Sequence, residues 1–199
     1  MSRLFHEGHK DKLPWGSTSE DRLKRDQLWP KFDINGNNLI SYAEFEAALS
    51  REFGHISAFP RVVKMSAFEA ARAQTKSQTS YGDNYVSRKE FRYLLKYLRQ
   101  YQDCWHAFNK ADVDQNARIS KDEFLAARSQ LASLGLDVFE AESHWHKIDK
   151  DGTGQLHFYE FAHWAISKTK EHEAEIQADI EESKYLEIKG PGCTHKRSN

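Results

Sequence analysis

The chain has 199 residues, of which 30% are charged, and its mean hydropathy is −0.81. No run approaches the roughly 18 apolar residues that a membrane-spanning helix needs, so the composition excludes a membrane protein. The formal net charge of −1 divides into +5 over residues 1–101 and −6 over residues 102–199, which predicts two lobes of different electrostatic character.

Residues 1–17 form a polar segment that contains Pro14, and they are predicted to be an extended N-terminal arm. The segment has no apolar stretch of signal-peptide length. Ser2 stands where N-myristoylation requires glycine, so we expect no direct lipid anchor at this end. The two cysteines make no disulfide framework, which favours a reduced, cytoplasmic location.

A first helix is predicted from near Thr18 to about Phe32. Ser17 is followed three residues later by Glu20, a capping-box pattern in which two side chains satisfy free backbone N–H groups. Pro30 falls in the last turn of this helix, where its ring removes a hydrogen-bond donor and should bend the exit.

Four helix–loop–helix units follow, each indicated by a calcium-loop pattern between two segments of apolar periodicity. Such a loop has twelve positions and supplies oxygens from positions 1, 3, 5, 7, 9 and 12, with a backbone carbonyl at position 7 and a bidentate glutamate at position 12. Position 6 needs a left-handed backbone, and position 8 is an apolar residue that pairs with the neighbouring loop. The predicted fold is therefore all-α, with two EF-hand pairs in closely connected lobes.

Loop 4, residues 149–160, meets every requirement and is the firmest predicted Ca²⁺ site. Gly154 takes the turn at position 6, and His157 at position 9 is expected to act through a water molecule. The alternative is an Asp- and Gly-rich surface turn, which the agreement of spacing, glycine and glutamate argues against. The predicted ligands are Asp149, Asp151, Thr153, Gln155 and Glu160.

Loop 1, residues 33–44, has all its ligand positions filled, but only two of the ligands are charged, so we expect a lower affinity than in loop 4. Asn38 replaces glycine at position 6, and asparagine is the next-best residue for a left-handed backbone. A folded but empty hand is the alternative. The predicted ligands are Asp33, Asn35, Asn37, Leu39 and Glu44.

Loop 3, residues 112–123, has suitable ligands but carries Ala117 at position 6. A Cβ in the left-handed region costs roughly 1–2 kcal/mol, or close to tenfold in affinity. The site could still fill, especially after loop 4 is loaded, and the alternative is an empty structural partner. The predicted ligands are Asp112, Asp114, Asn116, Arg118 and Glu123.

Loop 2 must be aligned from its far end, where Val86 takes position 8 and Glu90 position 12. Positions 1, 3 and 5 are then Thr79, Tyr81 and Asp83. Threonine replaces the usual aspartate and tyrosine offers no suitable ligand, so this hand is predicted not to bind an ion. Its expected role is to pair with loop 1 and close that lobe.

The distances between loops predict how the helices connect. Only 22 positions separate Glu90 from Asp112, so the exiting helix of the second hand must run almost directly into the entering helix of the third. The longer connection between the first two hands contains an amphipathic segment over residues 62–74. The fourth hand is predicted to have helices over residues 138–148 and 158–169.

The C-terminal region is strongly charged, with Ile176 and Ile180 forming one narrow apolar stripe. It is either a solvated helix extension or a helix that docks onto an EF-hand groove or a partner. The predicted divisions of the chain are the arm (1–17), a first pair of hands (18–101), a second pair (102–170) and the charged helix and tail (171–199).

Other chemistry finds little support in the sequence. His144 and His146 are two apart and would point to different faces of a helix, which argues against zinc. Cys104 is predicted to be a core residue, and no catalytic constellation appears, so we expect no enzymatic activity. Basic residues are scattered among acids, which argues against a nucleic-acid partner. The phenylalanines that directly follow each position-12 glutamate should line the lobes, namely Phe45, Phe91, Phe124 and Phe161.

Four unequal hands, the long connection between the first two, and the segments LWPKFD (28–33) and FAHWAI (161–166) resemble the calflagins, the flagellar calcium-binding proteins of flagellated protozoa. The resemblance covers residues 23–170 and implies a calcium-binding protein on the cytoplasmic side of the flagellum. Members of that family start with Met-Gly-Cys, which accepts myristate and palmitate. This chain starts with Met-Ser-Arg, so the expected location is the axoneme and not the membrane.

Two functions follow from these features. One is a calcium sensor or signalling protein acting by protein–protein interaction, in which calcium reorients helices and exposes an apolar groove. The other is a structural, microtubule-associated component of the axoneme in which calcium has a minor or stabilising role. Both predict a protein partner of the axoneme or cytoskeleton. A calcium buffer is a weaker third alternative, because few loops have the ligands for tight binding.

Overall fold

The structure is a computed structural model that describes residues 13–16, 18–53, 59–73, 84–136, 143 and 145–168. Within them the elements in chain order are α1 (Ser19–Phe32), β1 (Leu39–Ser41), α2 (Tyr42–Phe53), α3 (Arg61–Arg72), β2 (Tyr85–Ser87), α4 (Phe91–Ala111), β3 (Ile119–Ser120), α5 (Lys121–Ala126), α6 (Arg128–Ser133), α7 (Trp145–Ile148), β4 (Gln155–Leu156) and α8 (residues 158–168). The predicted fold of helices in two EF-hand pairs is confirmed.

The four short strands join the loops in pairs. β1 lies antiparallel to β2, with Ile40 opposite Val86, and β3 lies antiparallel to β4, with Ile119 opposite Leu156. All four of these residues occupy position 8 of their loops, and all are fully buried. The predicted pairing of loop 1 with loop 2 is therefore confirmed, and loops 3 and 4 pair in the same way.

The start of α1 differs from the prediction by one residue. Thr18 is the N-cap, because its backbone is extended (φ −65°, ψ 157°) and its hydroxyl oxygen accepts a hydrogen bond from the Asp21 N–H at 3.1 Å. The Thr18 hydroxyl in turn donates to the Asp21 carboxylate at 2.8 Å. The capping pair is thus Thr18 with Asp21, and the proposed pairing of Ser17 with Glu20 was wrong. The helix continues through Pro30 to Phe32.

Helix α4 is a single helix of 21 residues, about 30 Å long at 1.5 Å per residue. It leaves the second hand after Glu90 and enters the third at Asp112, as the short spacing predicted. The division drawn between residues 101 and 102 lies inside this helix. Helix α3 confirms the amphipathic segment of the long connection and packs along α4.

Aromatic rings form the core of each pair. Phe32 lies between Phe45 and Phe91, with ring centroids 6.2 and 5.2 Å apart. In the second pair Phe108 contacts Phe161 at 5.7 Å. The four phenylalanines predicted to line the lobes are at most 2% exposed. Cys104 is buried as predicted, and burial raises the pKa of its thiol, so it is an inert core residue.

Residues 13–16 of the predicted arm are packed against the first pair. Leu13 is 3% exposed and belongs to the core. The Arg25 guanidinium on α1 donates hydrogen bonds to the carbonyl oxygens of Pro14 and Gly16, at 2.8 and 2.6 Å. One arginine thus holds two backbone carbonyls of this segment.

Helix α4 holds the same segment through Trp15. Arg92 donates from Nε to the Trp15 carbonyl oxygen at 3.0 Å, and the Arg99 guanidinium lies 5.2 Å from the centroid of the Trp15 ring, a cation–π contact. Residues 13–16 therefore tie α1 to α4, which we call the N-terminal clasp.

Several predictions fall on residues that lie outside the described ranges. These include the first half of loop 2, the start of the helix that enters loop 4, His144, and the charged region 171–199. Within the described residues, no helix has both the length and the apolar character needed to cross a membrane.

Candidate calcium sites

Loop 4 is organised around the buried carboxylate of Asp149, which follows α7. Its Oδ1 accepts a hydrogen bond from the Thr153 N–H at 3.1 Å, and its Oδ2 accepts one from the Gly154 N–H at 2.9 Å. Asp151 Oδ1 accepts a second bond from the Thr153 N–H, also at 3.1 Å. Backbone donors within the loop thus orient both carboxylates toward its centre.

Glu160 closes loop 4 from the first turn of α8 and is only 1% exposed. Its Oε1 accepts a hydrogen bond from the Lys150 N–H at 2.9 Å, and its Oε2 accepts one from the His157 N–H at 3.0 Å. One carboxylate therefore joins the beginning of the loop to its end. The water-mediated role predicted for His157 stays a prediction.

Loop 3 repeats this arrangement around Asp112. The Asn116 N–H donates to Asp112 Oδ1 at 3.1 Å, and the Ala117 N–H donates to Oδ2 at 2.9 Å. Burial raises the pKa of Asp112 most, with a contribution from the neighbouring Asp114, and the two N–H donors only partly oppose it.

Glu123 closes loop 3 as Glu160 closes loop 4. Its Oε1 accepts from the Val113 N–H at 3.0 Å, and its Oε2 accepts from the backbone N–H and the hydroxyl of Ser120 at 2.9 and 2.7 Å. These hydrogen bonds, led by the Ser120 N–H, hold the pKa of Glu123 below its ordinary value. The carboxylate is therefore ionised near neutral pH and ready to bind a cation.

Carboxylates converge in both loops of the second pair. One oxygen from each of three acids lies within 4.8 Å of the others, and the two sets are Asp112, Asp114, Glu123 and Asp149, Asp151, Glu160. Hard oxygen donors at this density are the ligands that Ca²⁺ takes in proteins. The donor sets of loops 3 and 4 therefore fit a calcium ion.

Loop 1 has the same backbone arrangement around Asp33. Its Oδ1 accepts from the Asn37 N–H at 3.1 Å and its Oδ2 from the Asn38 N–H at 3.0 Å. Asn35 Oδ1 also accepts from the Asn37 N–H, at 3.0 Å. The predicted ligands that surround the centre of this loop are thus brought together with one carboxylate fewer than in loops 3 and 4.

Glu44 closes loop 1, and its two carboxylate oxygens have different surroundings. Its Oε2 accepts from the Ser41 N–H and hydroxyl at 2.9 and 2.7 Å, whereas its Oε1 is buried and receives no hydrogen bond of ordinary geometry. Burial tends to raise the pKa of Glu44, but the Ser41 donors and the nearby N–H groups of Ile34 and Asn35 outweigh it and lower the pKa. A buried oxygen that receives no hydrogen bond can be satisfied by a bound cation. Loop 1 therefore also fits Ca²⁺.

The predicted position-7 residues are placed by the position-5 side chains. In loops 1 and 3, the position-5 asparagine oxygens accept from the N–H groups of Leu39 and Arg118, at 2.9 and 2.8 Å. In loop 4 the Thr153 hydroxyl instead donates to the Gln155 carbonyl oxygen at 2.9 Å. That carbonyl oxygen is the expected position-7 ligand, and it already accepts a hydrogen bond from a side chain of its own loop.

Left-handed backbone occurs at two positions in each of these three loops. The left-handed backbone at position 6 was anticipated from the sequence, but the one at position 4 was not. Glycine at position 4 of loops 1 and 4 was the signal for it. In loop 3 the strain falls on two residues that have a Cβ. The φ values are 70° and 62° for Gly36 and Asn38, 58° and 63° for Gln115 and Ala117, and 68° and 77° for Gly152 and Gly154.

Loop 2 keeps the closing half of a hand. Val86 is buried in the strand pair, and Glu90 is 6% exposed with its Oε2 accepting from the Ser87 N–H at 2.7 Å. Thr79, Tyr81 and Asp83 lie outside the described residues. The prediction that this hand does not bind an ion therefore stays a prediction.

Comparison with known proteins agrees with this geometry. The chain is 29% identical over 156 residues to the flagellar calcium-binding protein of Trypanosoma cruzi, covering 77% of this chain and 74% of that one. It is 25% identical over 162 residues to flagellar calcium-binding protein TB-24 of Trypanosoma brucei brucei, covering 78% and 73%. The profile of the FCaBP EF-hand domain matches residues 9–98, and that of an EF-hand domain pair matches residues 101–166. The chain is a calflagin-like EF-hand protein.

This calflagin-like protein thus belongs to a calcium-binding kind of EF-hand protein, and its ion is Ca²⁺. A solved structure of a homolog of programmed cell death 6 protein from Leishmania major covers 89% of each chain at 17% identity, with a TM-score of 0.42.

Proposed function

We propose that this protein is a calcium sensor of the flagellum that acts by contact with a protein partner and not by catalysis. The contact between Phe158 and Tyr101 carries the proposal. Phe158 begins α8 two residues before Glu160, and its ring centroid lies 6.4 Å from that of Tyr101 on α4. The relatives named as flagellar calcium-binding proteins support the location.

Tyr101 also lines an apolar groove along α3. Val62, Met65 and Ala70 form its apolar wall, and Met65 is 44% exposed. Apolar side chains exposed along a groove are typical of surfaces that bind a protein helix. We infer that this groove receives a helix of an axonemal or cytoskeletal protein.

Loop 4 and the groove communicate through a short chain of contacts. Bound Ca²⁺ would neutralise the converging carboxylates of the loop. Glu160 lies in the first turn of α8, so a change in the position of its carboxylate moves Phe158, and Phe158 bears on the wall of the groove at Tyr101. Such coupling between an ion loop and an apolar surface is how EF-hand sensors act.

The test is calcium-dependent exposure of apolar surface, measured by tryptophan emission and ANS fluorescence on the full chain. The proposal expects ANS fluorescence to rise with calcium in the wild type and to stay low in Glu160→Gln, which loses a bidentate ligand. Phe158→Ala should keep calcium binding by calorimetry and lose most of the ANS response. Calcium binding without any fluorescence change would reject the sensor role.

A structural role in the axoneme is the second candidate, with calcium only stabilising the hands. The N-terminal clasp and the strained loop 3 favour it, because the clasp fixes α1 on α4 and Gln115 and Ala117 weaken one site. Fractionation separates the two candidates. Retention in detergent-extracted axonemes with and without calcium supports the structural role, whereas full release by detergent rejects it.

A further inference from the structure

A side-chain hydrogen bond joins the two loops of the second pair at their position-7 residues. The Arg118 guanidinium of loop 3 donates to the Gln155 amide oxygen of loop 4 at 3.1 Å. The backbones of the two loops meet beside it, where Ser120 lies opposite Gln155 in the β3–β4 ladder. Because position 7 supplies a backbone carbonyl to the ion, the bond links the two residues that present those carbonyls.

The backbone of loop 3 is strained next to this hydrogen bond. Arg118 directly follows Ala117, whose φ of 63° is strained by its Cβ, and Gln115 two residues earlier has a φ of 58°. Two strained residues weaken the intrinsic preference of the segment for its folded backbone. Loop 4 has glycine at both equivalent positions and carries no such strain.

Gln155 is itself held in place by its own loop. The Thr153 hydroxyl donates to the Gln155 carbonyl oxygen at 2.9 Å, and Gln155 is paired in β4. The contacts therefore run from the unstrained loop to the strained one, through Thr153, Gln155 and Arg118.

We propose that the Arg118–Gln155 bond couples loop 3 to loop 4, with Arg118 as a positioning residue that holds the strained backbone of loop 3 ready for its ion. Order in loop 4 then favours order in loop 3, and loop 3 fills after loop 4. This inference rests on calcium binding by both loops but not on the sensor role.

The positive charge of Arg118 also opposes calcium binding, and the experiment must separate this repulsion from the effect of the hydrogen bond. A guanidinium beside two carboxylate clusters repels a cation, so Arg118→Met removes a repulsion together with the bond. Gln155→Met removes the acceptor while it keeps the charge, the backbone carbonyl and a similar side-chain length. Only the interaction between the two substitutions reports on the bond.

The test is a double-mutant cycle in a Glu44→Gln background, which silences loop 1. Calcium titration by calorimetry resolves the two remaining events, with loop 4 binding first. We expect Gln155→Met to weaken the second event by about threefold when Arg118 is present and by much less in Arg118→Met, as for an exposed charge-assisted hydrogen bond. Arg118→Lys should retain part of the coupling, because its ammonium also donates.

Lys121→Met is the matched control, because it removes an exposed charge within loop 3 from a residue that is not in the bond. Its effect should be the same with and without Gln155→Met. Equal weakening by Gln155→Met in the Arg118 and Arg118→Met proteins, or no weakening in either, would overturn the proposal.

A second readout needs no calcium. The Ala117 N–H is bonded to Asp112 Oδ2 at 2.9 Å, and its hydrogen exchange in the ion-free protein reports whether loop 3 holds its folded backbone. We expect about threefold faster exchange in Gln155→Met, and no further increase when Arg118→Met is already present. Unchanged exchange would reject the positioning role of Arg118, even if loop 3 binds calcium. If loop 3 binds no calcium at all, the titration shows this separately, because the second binding event is then missing.

Discussion

Ala117 and Gly154 adopt the same left-handed backbone in two paired loops, with φ of 63° and 77°. A Cβ added at Gly154 would meet no heavy atom within 4 Å. The only penalty for a methyl group there is the backbone conformation itself. The two residues therefore form a matched pair in which glycine and alanine can be exchanged without a change in packing.

Ala117→Gly should strengthen the calcium affinity of loop 3, and Gly154→Ala should weaken that of loop 4. Each change is worth about 1 kcal/mol, or about fivefold in affinity, because left-handed backbone penalises a Cβ. Calorimetric titration of the full chain measures both. If Gly154→Ala left every binding event unchanged, backbone strain would not be what limits these sites.

Asp149→Ala should remove the tightest binding event of the titration. The residue supplies the first carboxylate of loop 4 and also accepts the hydrogen bonds that shape the loop. Asp122→Ala is the control, since Asp122 is an exposed acid in the first turn of α5 that is not a predicted ligand. An unchanged titration in Asp149→Ala would overturn the assignment of loop 4 as the strongest site.

Glu90→Gln should reduce stability without reducing the number of calcium ions bound. Glu90 is buried and bonds the Ser87 N–H, so weakening that bond should cost about 1 kcal/mol. Glu123→Gln, the equivalent change in loop 3, should instead weaken or abolish one binding event. Thermal unfolding and calorimetric stoichiometry together distinguish the two glutamates, and a lost ion in Glu90→Gln would show that the second hand binds calcium.

Arg25→Gln should loosen the N-terminal clasp. The guanidinium bonds two carbonyl oxygens, so its loss should cost about 1–2 kcal/mol and lower Tm by roughly 2–8 °C for a chain of this size. Arg22→Gln on the exposed side of α1 should change Tm far less. Equal melting temperatures for the two variants would mean that the clasp adds nothing to stability.

Tyr101→Phe should make the protein more resistant to alkali. Burial, with smaller effects of Cys104 and Tyr97, raises the pKa of Tyr101 from 10.0 to about 12. The folded state therefore holds this proton more tightly than the unfolded state, so its contribution is complete below pH 10 and is lost as the pH rises toward 12. Unfolding by urea at pH 9 and pH 11.5 measures the difference, with Tyr85→Phe at an exposed residue as the control.

The sequence was sufficient for the features that follow from spacing. Twelve-residue loops with fixed ligand positions predicted the paired strands at Ile40 and Val86, and the short interval after Glu90 predicted a helix shared by two hands. The buried aromatics after each position-12 glutamate followed from helical periodicity. These features depend on local patterns that repeat, so one sequence carries them.

Features that depend on contacts between distant segments were not predictable. The clasp joins Trp15 to Arg92 across 77 residues, and nothing near either residue signals the other. The Arg118–Gln155 bond required the register of β3 on β4. The start of α1 was misplaced because Ser17 and Thr18 are both good N-caps, and the choice between them depends on the backbone angles.

The continuity of α4 fixes more than the distance between the two pairs of hands. In an α-helix each residue turns the chain by about 100° and advances it by about 1.5 Å. One residue inserted between Glu90 and Asp112 would therefore swing the second pair by more than a quarter of a circle around the first. The relative orientation of the two ion-binding pairs is thus set by the number of residues in the helix that they share.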